Sequence, residues 1–461
     1  MAVSQSAIAR PAPAPEPDHR TLRLNIFNMV WPVTIESVLH MAVGFVNTAM
    51  VGRLGATAIV AVGLSGRVSM IVWSIFSAIG TGATVLVARY YGANDISLAR
   101  KTARQSLLAA LVAIVLITGL AWLGAPQVLR IFRAPEETLN LGVTYLRLLV
   151  WAFPMISLVT VTGAILRGCG NTRTPMIIAL TINIINMVGN WLLIFGRLGF
   201  PALGVRGSAI ATITAHVVGA AFALFFLFSP LSRLAVPLVR KFDLDWPFVR
   251  RIIGIGLPTA MESLFWQAAT VILLGLVNSF GTNASAAHQL GLQAEGLSYM
   301  PAAGFSIAAM ALVGQSLGAR NARLAEHYVR EITRWAVILT VITASILFFF
   351  PNLVMGILTT DREVIELGAK YLMLMALAQL PQQVAGVLNG TLRGAGDTRT
   401  PMLIAGGGIW VIRLPLAFFF ARWVGMGITG VWLAMTLDLF IRFGIVLWRY
   451  RLGHWKNIQL D

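Results

Sequence analysis

The chain has 461 residues, 57% hydrophobic and 11% charged, with a mean hydropathy of +0.78. A soluble globular protein carries about twice that share of charge, so the composition excludes a water-soluble fold. The formal charge of +17 does not imply a nucleic-acid partner, because the bases sit in short segments between apolar runs and not on one hydrophilic face.

Residues 1–20 are a polar Ala/Pro-rich stretch without the apolar core of a signal peptide, and are expected to form a disordered cytoplasmic tail. Apolar runs long enough to cross a bilayer follow at 24–50, 57–87, 104–124, 144–166, 176–196 and 207–228. A second set lies at 252–280, 284–313, 335–356, 370–392, 402–421 and 429–448. The fold class is therefore an all-α polytopic membrane protein with twelve transmembrane helices. The basic, Pro-containing stretch 229–251 separates an N-terminal six-helix bundle (21–228) from a C-terminal one (252–450), and 451–461 forms a cytoplasmic tail. With the N-terminus inside, the cytoplasmic side holds about three times as many Lys and Arg as the other, so both termini are expected to be cytoplasmic. The only cysteine, Cys169, excludes internal disulfides and a cysteine zinc site.

Shifting the sequence by 226 residues lays PVTIES (Pro32–Ser37) on PTAMES (Pro258–Ser263), Gly92 on Gly318, Tyr145 on Tyr371, and LRGCGNTRTPM (Leu166–Met176) on LRGAGDTRTPM (Leu392–Met402). After a three-residue slip, Gly204 and Gly207 fall on Gly427 and Gly430. So constant an offset marks a duplication. Six spans per copy make both enter the membrane in the same sense, so the bundles are related by a pseudo-twofold axis along the membrane normal, with the substrate site between them.

Of the 18 acidic residues, all but Glu36, Glu262, Glu295 and Asp438 fall in tails or loops. These four sit roughly 14–18 Å into their apolar runs at 1.5 Å per residue, near the middle of a core about 30 Å thick. Intramembrane carboxylates are costly and usually functional. Glu36 and Glu262 are repeat mates, each four residues after a proline whose ring frees a carbonyl one turn earlier. A carboxylate beside a free carbonyl suits a proton or a sodium ion, so Na+ at Glu36 or Glu262 is one expectation. His40 and Asn47 share a helix face with Glu36, and His40 is placed to bond it. Arg67 is a candidate counter-ion for Glu36. Glu295 and Tyr299 stack one turn apart and are expected to line a cavity wall. Asp438 can pair with Arg442 at i, i+4 or with Arg413. Gln267, Thr270, Asn183, Asn186, Asn190 and Gln293 add polar groups, and tryptophans add aromatic faces. Such a cavity favours lipophilic organic cations.

LRGxGxTRTPM is expected to be a tight basic turn opening a helix at its proline. No Walker loop, HExxH or GxSxG occurs, so no ATP-driven or enzymatic chemistry is expected, and no cofactor beyond the coupling ion.

NTAMVGRLG with the AxVGL that follows, AAHQLGLQAEGLSYMP, LVGQSLGA and the doubled LRGxGxTRTP together resemble the multidrug and toxic compound extrusion (MATE) transporters, over residues 22–450. The resemblance implies two six-helix bundles around a V-shaped cleft in a bacterial inner membrane. It also implies a monomeric antiporter exporting lipophilic cationic drugs in exchange for protons or sodium. In one branch of that family aspartates occupy the positions of Asn47 and Asn190, so a mechanism resting on them does not transfer. Another branch has an essential Glu in the seventh span, where Glu262 stands nearer its proline. Glu36, Glu262 and Glu295 are the coupling candidates, with Asp438 secondary. A flippase for an anionic lipid-linked precursor, permitted by the wider superfamily, is the alternative and would need an arginine-lined cavity.

Overall fold

The computed structural model describes residues 18–131, 135–230, 232–237 and 243–460; most of the expected N-terminal tail, 1–17, lies outside them. Twelve described helices are long and apolar enough to cross a membrane. They are α1 (His19–Gly52), α2 (Ala56–Gly92), α3 (Ile96–Leu123), α4 (Glu136–Gly168), α5 (Arg173–Phe195) and α6 (Val205–Phe228). The second copy comprises α7 (Trp246–Asn278), α8 (Thr282–Gly318), α9 (Ala322–Phe349), α10 (Arg362–Ala395), α11 (Arg399–Trp423) and α12 (Ile428–Arg451).

Several helices outrun their apolar runs, because a capped, amphipathic turn satisfies its backbone outside the hydrocarbon as well. α9 opens at Ala322 behind Asn321, whose side chain accepts from Leu324 N–H at 2.9 Å; its repeat mate Asp95 caps α3 on Leu98 N–H at the same distance. The turns are duplicated as closely as the caps. Gly55 and Gly281 have φ of 103° and 101°, Gly170 and Gly396 of 81° and 99°. Only glycine adopts such backbone at no steric cost.

Each bundle has its own core, around Phe76, Leu86, Leu146 and Phe153 in the first copy and Tyr371, Leu372, Met375 and Trp432 in the second. Two helices cross between them. Leu22, Ile26, Met29 and Val30 of α1 pack in one cluster with Phe305 and Ala308 of α8 and Tyr328 and Ile332 of α9. Reciprocally, Phe248, Ile252 and Ile255 of α7 join the first copy's core. The seam is backbone-tight. A Cβ on Gly92 would strike the carbonyl of Gln315, and one on its mate Gly318 the carbonyl of Arg89, itself the mate of Gln315. Gly256 meets Ala78 O, and Gly304 approaches Val30 O in the mirrored contact. Small residues that let helices approach closely are what packing in a bilayer requires.

All these contacts lie on the half that carries both chain ends. Towards the other half the bundles part. Gln267 of α7 still reaches Met70 of α2 (Nε2 to Sδ 3.9 Å), but Gly44, Gly63, Gly66 and Gly275 face open space. The result is a cleft between the bundles, closed at the end of the termini.

The stretch expected as linker is helical from Trp246, and its preceding residues are strapped to α3. Gln105 bonds Asp243 O (2.8 Å) and Asp245 N–H (3.0 Å), and Lys101 pairs with Asp245 at 2.7 Å. The Lys101 ammonium, with Phe248 N–H, holds the Asp245 carboxyl below the usual carboxylate range. Residues beyond Arg451 also pack: Trp455 is buried, Lys456 pairs with Glu326, and Ile458 O accepts from Arg89 Nη2 at 2.6 Å.

Gly92→Leu or Gly318→Leu should wedge the seam apart at a cost of about 1–3 kcal/mol, measured as a longer spin-label distance across the closed end. The Cys169 thiol is fully buried, which pushes its pKa up to about 11. Since the thiolate is the nucleophile, Cys169 in the folded protein should resist maleimide at neutral pH and react only after denaturation.

Candidate coupling and substrate site

Glu36 receives two bonds from Arg167 Nη2, at 2.6 and 2.8 Å. Its mate Glu262 receives one from Arg393 Nη2 at 2.5 Å, and Arg393 is the repeat mate of Arg167. Each arginine comes from the last turn of its helix, α4 or α10. All four side chains are about one-fifth exposed. The expected partners of Glu36 are thus displaced: its oxygens go to Arg167, not to Arg67 or His40. His40 is exposed.

The free carbonyl anticipated from Pro32 is also taken. Asn28 O, which loses its helical donor to the proline, accepts from Thr172 Oγ1 at 3.0 Å, and Arg173 bonds the Asn28 side chain at 2.8 Å. The repeated turn therefore does more than anchor topology; it neutralises Glu36 and satisfies the backbone break beside it. A sodium ion at Glu36 or Glu262 would have to displace a guanidinium. Sequence separation hid Arg167. The available signal was that Glu and Arg both recur at the 226-residue offset.

The polar cores of the two bundles, in contrast, are unrelated. In the first, Asn47 Nδ2 donates to Asn186 Oδ1 (2.8 Å), Asn190 Nδ2 to Asn47 Oδ1 (2.8 Å), and Asn186 Nδ2 to Thr212 Oγ1 (3.0 Å). Asn47 and Asn190 thus meet, in a cluster of neutral amides; their repeat positions are Leu273 and Leu416.

In the second bundle Glu295 is buried; Tyr371 O–H donates to its Oε2 and Gln379 Nε2 to its Oε1, the latter at 3.2 Å. Ser298 Oγ lies 3.4 Å from Gln379 Oε1 and 2.8 Å from Thr343 Oγ1. Tyr371 packs edge-on against His288 and Trp432, and Trp432 Nε1 donates to His288 Nδ1 at 3.2 Å. Deeper in α12, fully buried Asp438 Oδ2 takes both Arg413 Nε (2.8 Å) and Arg442 Nη2 (2.9 Å). Both expected partners are therefore real. Gly408, in a π-helical turn of α11, leaves room for Asp438 and Arg442; such turns concentrate at functional sites. The repeat positions of Glu295, Arg413 and Asp438 are Ser69, Met187 and Ala215, so the charges belong to this copy alone.

Glu295 and Tyr299 do not share a cavity wall as expected. Glu295 turns into the bundle, whereas Tyr299 is 36% exposed and takes a long bond from Gln383 Nε2 on its carbonyl (3.5 Å). A cavity of about 10 Å³ between Trp266, Thr270, Leu273, Ile409 and Arg413 has room for about one water. It lies on α7, the helix from which Gln267 reaches Met70.

A family model described as MatE matches residues 32–192 and again 258–419, once per bundle, starting at Pro32 and at Pro258. The chain belongs to the MatE family. The "Probable multidrug resistance protein NorM" of Thermotoga maritima is 32% identical over 445 residues, spanning 96% of this chain and 95% of that protein. The "Uncharacterized transporter YisQ" of Bacillus subtilis is 25% identical over 425 residues, or 92% and 93% of the two chains. Among solved structures, "Crystal structure of MATE in the bent conformation" superposes with a TM-score of 0.87 at 23% identity, over 94% of this chain and 96% of that one. "Outward-facing conformation of a multidrug resistance MATE family transporter of the MOP superfamily" gives 0.88 at 22%, over 95% and 97%. At that identity the likeness is one of fold. As a MatE member the chain is a multi-pass membrane transporter built from two copies of the family unit.

Glu36→Gln or Arg167→Gln should lower stability by about 1.5–3 kcal/mol, the worth of hydrogen bonds to a charged group, and Glu262→Gln by a similar amount. The exchange Glu36→Arg with Arg167→Glu should recover most of the loss, read as the melting temperature of the purified protein in detergent.

Proposed function

We propose that this MatE transporter is a proton-coupled antiporter that exports small lipophilic drugs, lipophilic organic cations among them, by alternating access, with Glu295 as the proton carrier. The observation that carries the reading is the pairing of the intramembrane acids. Glu36, Glu262 and Asp438 each hold an arginine; Glu295 holds only a hydroxyl and an amide. Protonating the other three breaks an ion pair, whereas protonating Glu295 removes a buried charge. Its partners also favour a proton over sodium. A hard cation needs several oxygen ligands, and both groups bonded to this carboxylate are donors.

Around Glu295 stand Tyr371 and Gln379. Arg413 and Arg442 share one carboxylate, Asp438, which leaves one positive charge over. An ionised Glu295 would balance it, and a protonated one leaves Arg413 wholly on Asp438. Loading and release of the proton would thereby re-weight the grip of α11 on α12 through Asp438, which is the kind of two-state element that alternating access requires. The positive-inside rule supports both termini in the cytoplasm; the cleft then opens outward.

The flippase alternative is less well supported. Of the three arginines well within the spans that it would draw on, Arg413 is held by Asp438 and Arg147 lies over the Trp122 ring at 5.1 Å, which leaves Arg67 alone, too little for an arginine-lined cavity.

In proteoliposomes, uptake or efflux of a fluorescent drug should respond to an imposed proton gradient and not to a sodium gradient. Glu295→Gln should abolish that response, while Glu36→Gln and Glu262→Gln keep its pH dependence at reduced rate. Normal proton-driven transport by Glu295→Gln would overturn the assignment.

A further inference from the structure

One charge in the cleft takes no part in any of these pairs. Arg67 lies in α2, 11 residues from Ala56, or about 16 Å along the helix, near mid-membrane for a core about 30 Å thick. It is exposed. Among the described residues no hydrogen-bond or ion-pair partner engages it, and the carboxylate that sequence offered it, Glu36, belongs to Arg167.

Its direction follows from helix geometry. Residues 67, 78 and 85 fall on one stripe of α2, since spacings of 11 and 18 return to the same face. Ala78 touches Gly256 of α7, and Val85 lies against Gly314 of α8. That stripe faces the opposite bundle, and Arg67 occupies it at the level where the bundles have separated. Met70, one turn along and 60% exposed, looks the same way towards Gln267. Across the cleft the repeat mate of Arg67 is Gln293, also exposed. Among the described residues, exposed His40 and the two neutralised pairs of Glu36 and Glu262 add no further unpaired carboxylate there. The cleft that sequence suggested would be acidic therefore presents a lone guanidinium, flanked by amides and a soft thioether. Unpaired intramembrane charges mark ligand or ion pathways, and a guanidinium is matched to a carboxylate.

We propose that Arg67 is the anion-recognising residue of the cleft, the group that holds the carboxylate of a transported amphiphile that carries one. The carboxylate sits on Arg67, Gln267 and Gln293 supply amide donors, and Met70 contacts the apolar body. The inference rests on the transport reading of the cleft and is separable from the identity of the proton carrier.

The test is a matched pair of dyes in the same proteoliposomes: rhodamine 110, a zwitterion with a free carboxylate, and rhodamine 123, its methyl ester, a cation. Arg67→Gln should raise the KM for rhodamine 110 by about tenfold, the equivalent of one charge-assisted hydrogen bond, and leave that for rhodamine 123 within about twofold. Arg67→Lys should recover part of the difference. Failure of the wild-type protein to carry rhodamine 110, or equal shifts for acid and ester, overturns the proposal. A fall in melting temperature with both KM values unchanged overturns it too, by making Arg67 a folding residue. Dependence of rhodamine 123 transport on the proton gradient tests the antiport reading separately.

Discussion

Inside a bilayer an ionised side chain costs several kcal/mol unless a group of opposite sign, or a set of donors, is held against it by the same chain. Most of the architecture of this transporter answers that constraint. Arg167 and Arg393 are carried to the tips of α4 and α10 and turned inward onto Glu36 and Glu262; Arg413 and Arg442 converge on Asp438. These pairs fix which helix faces meet. They also leave Glu295 in the second bundle and Arg67 on the cleft wall outside such pairs, and these two carry the proposed proton and substrate chemistry.

Duplication supplied the frame and divergence supplied the function. The seam is built from contacts that occur twice: Gly92 on Gln315 with Gly318 on Arg89, Gly256 on Ala78 with Gly304 on Val30. The polar cores occur once each, neutral amides in the first bundle and a charged network in the second. The first halves of α1 and α7 pack on the opposite bundle, and each helix carries a proline, Pro32 or Pro258, part-way along its length. The Glu–Arg pairs sit one turn beyond those prolines, where the crossing helix returns to its own bundle.

The repeated turn shows how one short segment serves several needs. Its glycines give the left-handed backbone at Gly170 and Gly396, its first arginine neutralises a carboxylate on another helix, and in the first copy Thr172 satisfies the carbonyl that Pro32 leaves open. A reading by composition finds the basic turn and misses the rest, since its partners lie some 130 residues or more away in the chain.

Sequence alone determined the number of spans, the duplication and its offset, the family and the short list of intramembrane acids, because hydropathy, repeat and motif are carried by neighbouring residues. It also reached Arg413 and Arg442 as partners of Asp438, the second of them an i, i+4 neighbour. Only the tertiary structure decided which acids are neutralised, that Glu295 points into its bundle while Tyr299 faces out, and that Arg67 stands unpaired in the cleft. Those outcomes depend on which helix faces meet across long separations, and a guanidinium some 130 residues away can cancel a carboxylate as completely as one a single turn along the helix.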